Sequence, residues 1–304
     1  MVTWTATDPS GNTTTCTQNV IVTDNENPVI TCPPTANINT DAGLCTSSAS
    51  IGAATATDNC SAVVSGPVPA GPYGVGTTTV TWTATDPAGN TATCTQDVIV
   101  TDNELPDAVC QNITIQLDAS GNASITAAQV DGGSTDNCGV QSVTASPLNF
   151  DCSNTGANNV TLTVTDVNGN VNTCTAIVTV EDDIDPVISC PANISVNNDV
   201  NTCGATVSYS MPTGSDNCPG YTIAQIAGLP SGGLFPIGTT TNTFEITDAS
   251  GNTAICSFNV SVTDTEAPVI AGGPGNFSSC NQVSWTQPTI TDNCPGVTWT
   301  STHV

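Results

Sequence analysis

The sequence predicts an all-β protein built from small antiparallel β-sandwiches in tandem, and three observations support this prediction. Three short motifs recur in fixed order with a period of about 80 residues. Hydrophobic and polar residues alternate around one of these motifs, and no segment shows sustained helical spacing. Short strands separated by turn signals at regular intervals are typical of a small β-sandwich.

The first motif is an Asp-x-x-x-Pro linker, which sets the length of the repeat. It begins at residues 24, 102, 182 and 264, so successive starts are 78, 80 and 82 residues apart. We therefore divide the chain into three complete units, 24–101, 102–181 and 182–263, with the trailing part of a unit at 1–23 and the leading part of another at 264–304. This division predicts that the chain is part of a longer array of repeats.

The second motif, Thr-Asp-x-x-Gly-Asn, predicts a hairpin turn between two strands. In the segment VTWTATD, Val80, Trp82 and Ala84 fall on one face and the threonines on the other. This period of two is expected of a half-buried strand. The segment CTQDVIVTD after the turn predicts the partner strand, and NISVN and ATVSYSMP in the third unit predict two more.

The third motif, Asp-Asn-Cys, lies between the linker and the hairpin turn of each unit, at residues 58–60, 136–138, 216–218 and 292–294. With it, the third unit has the order CPANISV…CGATVSYSMPTGSDNC…GLFPIGTTTNTFEITDASGNTAICSFNVSVTD. This order resembles the hyalin repeat (HYR) family, an immunoglobulin-like sandwich of extracellular adhesive and matrix proteins and of long bacterial surface proteins.

The resemblance covers essentially the whole chain. It implies tandem immunoglobulin-like antiparallel β-sandwich domains in a linear array, in a bacterial-type extracellular or cell-surface repeat protein. On this basis 24–101 and 182–263 are HYR-like repeats and 102–181 is a variant, since it has no cysteine corresponding to Cys203 and carries Cys152 instead. The segments 1–23 and 264–304 match the end and the start of a repeat.

The charge of the chain excludes two classes of partner. The chain has 26 acidic residues and no lysine or arginine, which gives a formal net charge of −26. Without cationic side chains it cannot make the phosphate contacts of a nucleic-acid-binding protein or offer a basic patch to an anionic membrane. No apolar run reaches the length of about 18 residues that predicts a membrane span.

The fifteen cysteines occupy four successive positions in a unit, and this predicts a disulfide framework. In the last unit the first cysteine is missing while Cys280 and Cys294 remain, which favours pairing of the second with the third position. The first and fourth positions are then partners, and Cys16 is left over. The expected pairs are Cys32–Cys94, Cys45–Cys60, Cys110–Cys174, Cys138–Cys152, Cys190–Cys256, Cys203–Cys218 and Cys280–Cys294.

Two alternatives for the cysteines are weaker. The fourth cysteine of one unit could bond to the first of the next, but an extended strand separates them and a disulfide needs α-carbons within about 7 Å. Zinc would need a ligand pattern such as Cys-x-x-Cys, which does not occur, and the chain has one histidine.

The resemblance implies that the three acidic motifs of a unit meet, because the incoming linker and two turns lie at the same end of an immunoglobulin-like sandwich. Clustered carboxylates need a cation, and Ca²⁺ takes about six to eight oxygen ligands. We therefore expect calcium at the junctions. The expected ligands are Asp24, Glu26, Asp58, Asp86 and Asn90; Asp102, Glu104, Asp136, Asp166 and Asn170; Asp182, Asp183, Asp185, Asp216, Asp248 and Asn252; and Asp264, Glu266 and Asp292. The alternative is that these residues only form turns, where Asp and Asn are common.

Two functions remain open from the sequence. The first is a structural extracellular stalk or filament of disulfide-linked repeats with calcium-rigidified junctions, whose partners are neighbouring repeats or like subunits. The alternative is a cell-surface adhesion module that binds a protein or glycan through its loops. Separate chains could also complete one another head to tail. We expect no enzyme, because clustered acids that recur in every unit are more typical of structure than of a single active site.

Overall fold

The computed structural model describes residues 1–273 and 287–300 of the chain. Contacts divide the protein into two compact units, which we describe separately. The first comprises Met1–Gln111, Ala127–Ser146 and Thr161–Thr175, and the second comprises Asn112–Thr126, Pro147–Val160 and Ala176–Val304. Strands make up almost all of the regular secondary structure among the described residues, with one four-residue helix and one 3₁₀ turn, so the predicted all-β class is confirmed.

The first repeat lies within the first unit and follows a short hairpin. Its strands form a four-stranded sheet in the order β4-β10-β9-β7 and two strand pairs, β3 with β6 and β5 with β8. The elements are β1 (Val2–Thr7), β2 (Thr13–Gln18), β3 (Val29–Thr31), β4 (Ala36–Asn39), β5 (Thr46–Ser47), β6 (Thr55–Thr57), β7 (Val63–Val68), β8 (Tyr73–Gly74), β9 (Gly76–Thr85) and β10 (Thr91–Thr101).

The middle repeat contributes to both units. In the first unit β13 pairs with the end of β15, and in the second unit β11 pairs with the end of β16 and β12 pairs with β14. The elements are β11 (Ile113–Gln116), β12 (Asn122–Ser124), α1 (Ala127–Val130), β13 (Val140–Ser146), β14 (Asn149–Asp151), a 3₁₀ turn (Cys152–Asn154), β15 (Gly156–Asp166) and β16 (Val171–Glu181).

The third repeat lies in the second unit and repeats the layout of the first. A four-stranded sheet has the order β18-β24-β23-β21, while β17 pairs with β20 and β19 with β22; in the segment 264–304 that follows, β25 pairs with β26. The elements are β17 (Val187–Ser189), β18 (Ile194–Asn197), β19 (Gly204–Val207), β20 (Thr213–Ser215), β21 (Thr222–Ala227), β22 (Gly233–Pro236), β23 (Gly238–Thr247), β24 (Thr253–Thr263), β25 (Val269–Ala271) and β26 (Thr289–Thr291).

The alternating pattern of β9 produces the predicted half-buried strand. Val80 and Ala84 are fully buried and Trp82 is 5% exposed, whereas the threonines between them are partly exposed. The strand turns back through a tight hairpin in which the amide of Asp86 donates to the carbonyl of Asn90 at 3.1 Å. Gly89 has a φ of +95°, a conformation that favours glycine. The second motif therefore forms the hairpin turn that the sequence predicts.

The buried clusters of the first and third repeats are filled differently. In the first repeat the indole of Trp82 donates to Gln96 at 3.1 Å, and the amide of Gln96 donates to the carbonyls of Pro34 and Ile51 at 2.8 and 2.7 Å. A buried amide needs such partners. In the third repeat the cluster is aromatic, and its members include Phe235, Phe244 and Phe258, each in edge contact with Tyr209. Gln96 of the first repeat and Phe258 of the third therefore occupy equivalent positions, two residues after the cysteines Cys94 and Cys256.

Each four-stranded sheet contains one parallel pair, which the sequence did not predict. β4 runs parallel to β10, and β18 runs parallel to β24. The loop after β4 therefore lies beside the end of β10, where the amide of Thr40 donates to the carbonyl of Thr101 at 3.1 Å. This arrangement brings the exit of a repeat, and the linker that follows it, next to a loop of the same repeat.

Candidate functional site

In each of the three repeats the Asp of the hairpin turn is buried and held by the Asn four residues later, whereas the equivalent Asp8 of the first hairpin is exposed. Asp86 is 5% exposed and Asp166 is fully buried. One carboxylate oxygen of Asp166 accepts from the amide of Asn170 at 2.7 Å and the other from its side-chain nitrogen at 2.7 Å. The same side-chain nitrogen donates to the main-chain carbonyl of Asp102 in the linker at 3.2 Å. The asparagine therefore ties the hairpin turn to the linker.

The other two hairpin turns have the same arrangement. The side-chain nitrogen of Asn90 donates to Asp86 at 2.7 Å and to the carbonyl of Asp24 at 3.2 Å. That of Asn252 donates to Asp248 and to the carbonyl of Asp182, both at 2.8 Å. In the structure the side-chain nitrogens of Asn90, Asn170 and Asn252 act as donors, and ligation of an ion by their side-chain oxygens stays a prediction.

The structure brings the three acidic motifs of a repeat together. In each repeat the linker Asp, the Asp of the Asp-Asn-Cys motif and the hairpin Asp offer oxygen atoms that all lie within 4.8 Å of one another. We name these groups the first carboxylate cluster (Asp24, Asp58, Asp86), the second (Asp102, Asp136, Asp166) and the third (Asp182, Asp216, Asp248).

Several oxygens of the clusters are shielded from solvent and accept no hydrogen bond. Buried polar atoms are normally paired, so these atoms call for a further partner. They are Asp24 Oδ2, Asp58 Oδ1, Asp102 Oδ2, both carboxylate oxygens of Asp136, Asp182 Oδ2 and Asp216 Oδ1. A hard divalent cation such as Ca²⁺ prefers oxygen ligands of this kind. The donor set of each cluster therefore fits calcium.

In the second cluster the pKa values of Asp136 and Asp166 are shifted in opposite directions. Burial raises the pKa of Asp136, and the neighbouring charges of Asp166 and Asp102 raise it further. Burial also raises the pKa of Asp166, but the hydrogen bonds from Asn170 outweigh burial and hold this pKa below its ordinary value. Burial likewise raises the pKa of Asp86 in the first cluster, but the hydrogen bonds from Asn90 outweigh burial and hold this pKa below its ordinary value.

The glutamates of the linkers lie outside the three clusters. In the first repeat Glu26 accepts from the side chain of Asn59 at 3.1 Å. Glu104 accepts from the main-chain amide of Gly43, in the preceding repeat, at 2.9 Å. Glu266 accepts from the amide of Asn201, also in the preceding repeat, at 2.9 Å. Glu104 and Glu266 therefore hold the preceding repeat, whereas Glu26 bonds within its own repeat, and none of the three belongs to a carboxylate cluster.

Four other expected ligands also fall outside the three clusters. Asp183 and Asp185 are exposed and lie beside Asp182 without joining the third cluster. In the last linker Asp264 accepts from the amide of Glu266 at 3.1 Å, and Asp292 accepts from the amide of Cys294 at 3.0 Å. Neither belongs to a group of three carboxylates within the described ranges.

A hairpin of the preceding repeat lies against the second cluster. We call residues 41–48 the cysteine hairpin of the first repeat. Its Asp41 accepts from the amide and the hydroxyl of Ser48, at 2.9 and 2.6 Å, and this shapes the loop that carries Cys45. Asn137 donates from its side-chain nitrogen to the carbonyl of Leu44 at 3.1 Å.

Equivalent contacts occur at the next two junctions. Asn217 donates to the carbonyl of Asp118 at 3.4 Å, and Asn293 donates to the carbonyl of Thr202 at 3.1 Å. The side-chain oxygens of Asn137, Asn217 and Asn293 are buried without a hydrogen-bond partner. These asparagines were missed in the sequence, although an Asn precedes the cysteine in all four Asp-Asn-Cys motifs and this repetition was a usable signal.

Three of the disulfide bonds join the first and fourth cysteines of a repeat, as the sequence predicts. They are Cys32–Cys94, Cys110–Cys174 and Cys190–Cys256, with α-carbons 5.9, 5.8 and 5.7 Å apart. Each connects an early segment of the repeat to its last strand, which is β10, β16 or β24. These bonds are internal to one repeat.

The other expected pairs are wrong, because the remaining cysteines bond across the junctions. The structure contains Cys45–Cys138, Cys152–Cys218 and Cys203–Cys294 in place of Cys45–Cys60, Cys138–Cys152, Cys203–Cys218 and Cys280–Cys294. Cys280 lies outside the described residues. The physical reason is that the cysteine hairpin and the Asp-Asn-Cys motif lie at opposite ends of one repeat, so each meets its counterpart in the adjacent repeat. Cys16 and Cys60 are free and exposed.

The middle repeat forms the same type of junction with a cysteine from a different part of its sequence. Its hairpin at residues 118–122 has no cysteine, and Cys152 in the 3₁₀ turn after β14 takes that place. The pairing of β14 with β12 brings Cys152 beside Gly121 and next to Cys218. The cysteine that marks this unit as a variant therefore preserves the bond between repeats.

Disulfide bonds also indicate where the protein is found. Six disulfide bonds occur among the described residues. Bonds of this kind form and persist in oxidising compartments, so the protein is extracellular. Within the same described residues, no helix has both the length and the apolar character to cross a membrane.

Comparison with known proteins identifies relatives of this chain. A model described as the HYR domain matches residues 23–100 and 181–262. Hyalin of Strongylocentrotus purpuratus is 32% identical over 94% of this chain and 26% of its own length, and hyalin of Lytechinus variegatus is 32% identical over 89% of this chain and 54% of its own length. The chain thus spans about a quarter and about half of these relatives.

The extracellular domain of protocadherin gamma B4 is a similar solved structure, at 16% identity over 90% of this chain and 55% of that chain, with a TM-score of 0.33. The hyalins above are animal proteins, and a protein of Mus musculus with sushi, von Willebrand factor type A, EGF and pentraxin domains is 33% identical over 36% of this chain and 3% of its own length. The bacterial-type assignment therefore has no support from these relatives.

Proposed function

The chain belongs to the HYR domain family, and on that premise we propose that it is a structural extracellular protein whose repeats are joined by calcium-binding, disulfide-linked junctions. The proposal treats 24–101, 102–181 and 182–263 as repeats, and 1–23 and 264–304 as parts of further repeats. Its partners are neighbouring repeats or like subunits. The observation that carries the proposal is the occurrence of three equivalent carboxylate clusters in a chain without lysine or arginine.

The proposed ligands of the second site are Asp102, Asp136 and Asp166, together with the side-chain oxygen of Asn137. All four side chains offer oxygen, and several of these oxygens are buried and unpaired. The third site has the same set, with Asn217 beside the third carboxylate cluster. A cation there would neutralise like charges that otherwise repel one another across less than 4.8 Å.

Calcium bound at a junction would act on the connection between repeats. The linker Asp contributes to the cluster, while its neighbour Glu104 and Asn137 hold the cysteine hairpin of the preceding repeat. A bound ion would therefore fix the linker to the repeat that follows it, and the hairpin contacts fix it to the repeat before. We propose that this combination stiffens the junctions of a stalk or filament.

We favour a structural role over adhesion through loops because the contacts between one repeat and the next recur at equivalent places. Asn137, Asn217 and Asn293 make the same type of contact to the preceding repeat. If the main role were to bind one other protein or a glycan, the binding surface would be expected in one repeat only. Binding of a protein or glycan through the loops remains the second candidate, and the relatives named hyalin are compatible with either role.

Calorimetric titration of the chelator-treated protein with calcium tests the proposal. We expect saturable binding of about one ion for each of the three clusters. We also expect a higher melting temperature, because a ligand that binds only the folded state at about 100 times its Kd adds about 2.7 kcal/mol. An absence of binding heat together with identical melting in calcium and in chelator would refute the calcium junction.

A further inference from the structure

The side chain of Asn137 bridges the second carboxylate cluster and the cysteine hairpin of the first repeat. Its nitrogen donates to the carbonyl of Leu44 in that hairpin at 3.1 Å and to the linker carboxylate of Asp102 at 3.3 Å. The same nitrogen lies 3.7 Å from the sulfur of Cys138, which is bonded to Cys45. One amide group therefore contacts the preceding repeat, the cluster and the disulfide bond.

Asn217 makes the same three kinds of contact beside the third cluster. Its side-chain nitrogen donates to the carbonyl of Asp118 at 3.4 Å and to the linker carboxylate of Asp182 at 3.0 Å, and it lies 3.7 Å from the sulfur of Cys218. Cys218 bonds to Cys152, which lies outside the hairpin at residues 118–122. The contacts of the asparagine are thus kept although the partner cysteine comes from a different part of the preceding repeat.

The oxygen of each of these amide groups is available to a further partner. In Asn137 and Asn217 the side-chain oxygen is buried and accepts no hydrogen bond. An amide is planar and its nitrogen carries two hydrogens, so bonds from the nitrogen to fixed acceptors also fix the oxygen. One of these acceptors belongs to the preceding repeat and is lost if that repeat moves away. The neighbouring repeat therefore holds a proposed calcium ligand in place.

We propose that the disulfide bond between two repeats and calcium at their junction reinforce each other, with Asn137 and Asn217 as the positioning residues that couple them. This coupling rests on the proposed calcium junction and adds its regulation. Reduction of Cys45–Cys138 lowers the affinity of the second cluster for calcium, and bound calcium makes the same bond harder to reduce. The two effects are equal in size, because a coupling free energy is reciprocal. A reducing environment therefore loosens the junction and releases its ion.

The reduction itself is an exchange between a dithiol and the disulfide bond. A thiolate of the dithiol attacks one cysteine sulfur, the bond between the cysteines breaks, and the other cysteine leaves as a thiolate that takes a proton from solvent. The second thiol of the reagent loses its proton and displaces the first cysteine, which is protonated in turn. The reagent ends as a cyclic disulfide. Two electrons and two protons pass from the dithiol to the protein, so no further reactant is needed.

Two other disulfide bonds of the chain serve as internal controls. Cys190–Cys256 lies within one repeat, so calcium that only stabilised the fold as a whole would protect this bond as well. Cys203–Cys294 joins two repeats, but Asp292 of its motif belongs to no group of three carboxylates among the described residues. Protection by calcium should therefore differ among bonds according to whether a carboxylate cluster adjoins them.

The test brings the full chain to equilibrium with a dithiothreitol redox buffer, once in calcium and once in chelator. Free thiols are alkylated, and mass spectrometry after cleavage at acidic residues gives the reduced fraction of each bond. The unchanged protein is compared with Asn137→Ala, which keeps all cysteines. Asn103→Ala is the matched control, because Asn103 adjoins Asp102 but bonds to Asn39 and is exposed.

We expect calcium to lower the ratio of reduced to oxidised Cys45–Cys138 and Cys152–Cys218 about tenfold, and to change that of Cys190–Cys256 less than about twofold. Asn137→Ala should remove the protection of Cys45–Cys138 alone, and the control should keep it.

A calorimetric calcium titration measures the reciprocal effect. In the double variant Cys45→Ser with Cys138→Ser, one site should bind calcium more weakly than in the unchanged protein, by the same factor of about ten. Equal protection of all bonds, protection that persists in Asn137→Ala, or unchanged calcium affinity in the double variant would overturn the coupling. These results leave the calcium junction standing, whereas an absence of binding heat in the unchanged protein refutes the junction and the coupling together.

Discussion

Cys45 and Cys138 are 93 residues apart in the chain, and their α-carbons lie 4.7 Å apart across the junction of two repeats. Cys138 follows Asp136, a member of the second carboxylate cluster, by two residues. The bond therefore connects the loop of one repeat directly to the site that the next repeat forms with its linker. The predictions below therefore concern residues at the junctions between repeats.

Replacing Asp182 by Asn should weaken calcium binding at the third cluster at least tenfold. Asp182 is 5% exposed and one of its oxygens is unpaired, so the change removes one of three converging charges while keeping the shape of the side chain. The measurement is a calorimetric titration of the variant against the unchanged protein.

Asp183→Asn is the matched control for this substitution. It removes the same charge at the adjacent residue, which is exposed and outside the three clusters. Its affinity for calcium should stay within about twofold of the unchanged protein, because exposed charges are screened by solvent and salt. Equal losses in both variants would mean that overall charge, and not the cluster, governs binding.

Cys138→Ser should destabilise the first unit by about 3 to 5 kcal/mol. The bond closes a loop with a sequence separation of 93, and a long closed loop restricts the unfolded chain most. Denaturant unfolding of the non-reduced proteins gives the free energy of unfolding. Cys60→Ser is the control, because Cys60 holds the same position in its motif but is free. The expectation fails if the two variants unfold at the same denaturant concentration.

Gly121→Ala should prevent the Cys152–Cys218 bond from forming. A Cβ at residue 121 would lie 2.6 Å from the sulfur of Cys152 and 2.8 Å from the carbonyl oxygen of Asn217, both closer than packing allows. The readout is the number of free thiols in the purified protein, which should rise by two.

Gly43→Ala separates this clash from the cost of the backbone conformation. Gly43 and Gly121 both have a φ of +72°, but a Cβ at residue 43 would meet nothing within 4 Å. This variant should lose about 1 to 2 kcal/mol and keep the thiol count of the unchanged protein. A rise in free thiols in the Gly43 variant as well would show that the conformation alone decides bond formation.

The cysteine hairpin should lose stability in acid. Hydrogen bonds from the side chain and amide of Ser48 hold the pKa of Asp41 below its ordinary value of 3.8. A lowered pKa in the folded state stabilises the protein above the ordinary value, and this contribution is lost as the pH falls through the folded-state pKa. The unchanged protein should therefore melt above Asp41→Asn at pH 6, and the difference should shrink as the pH falls below the ordinary pKa of 3.8. A difference that is constant over this range would contradict the assignment.

The local features of the fold could be predicted from the sequence. The alternation of Val80, Trp82 and Ala84 with threonine specifies a strand with one buried face, and Asp86 with Asn90 specifies the turn after it. These features depend on neighbours a few residues apart, so the sequence pattern is sufficient. The family resemblance also predicts that Asp24 and Asp58 lie beside Asp86.

The pairing of the cysteines could not be predicted in the same way. Pairing within a repeat and pairing across a junction use the same positions, and the two schemes differ only in which copy supplies the partner. Cys45 has Cys60 nearby in sequence but bonds to Cys138, because the parallel pairing of β4 with β10 carries the cysteine hairpin to the exit of the repeat.

The sequence by itself determined the length of the repeat, the hairpin strands and the acidic residues at each linker, because periodicity and turn chemistry are local properties of the chain. Only the tertiary structure decided that Glu104 and Asn137 hold the preceding repeat while Asp102 and Asp136 face each other. The reason is that neighbouring side chains of one motif point in different directions, and the packing of two repeats selects which of them meet.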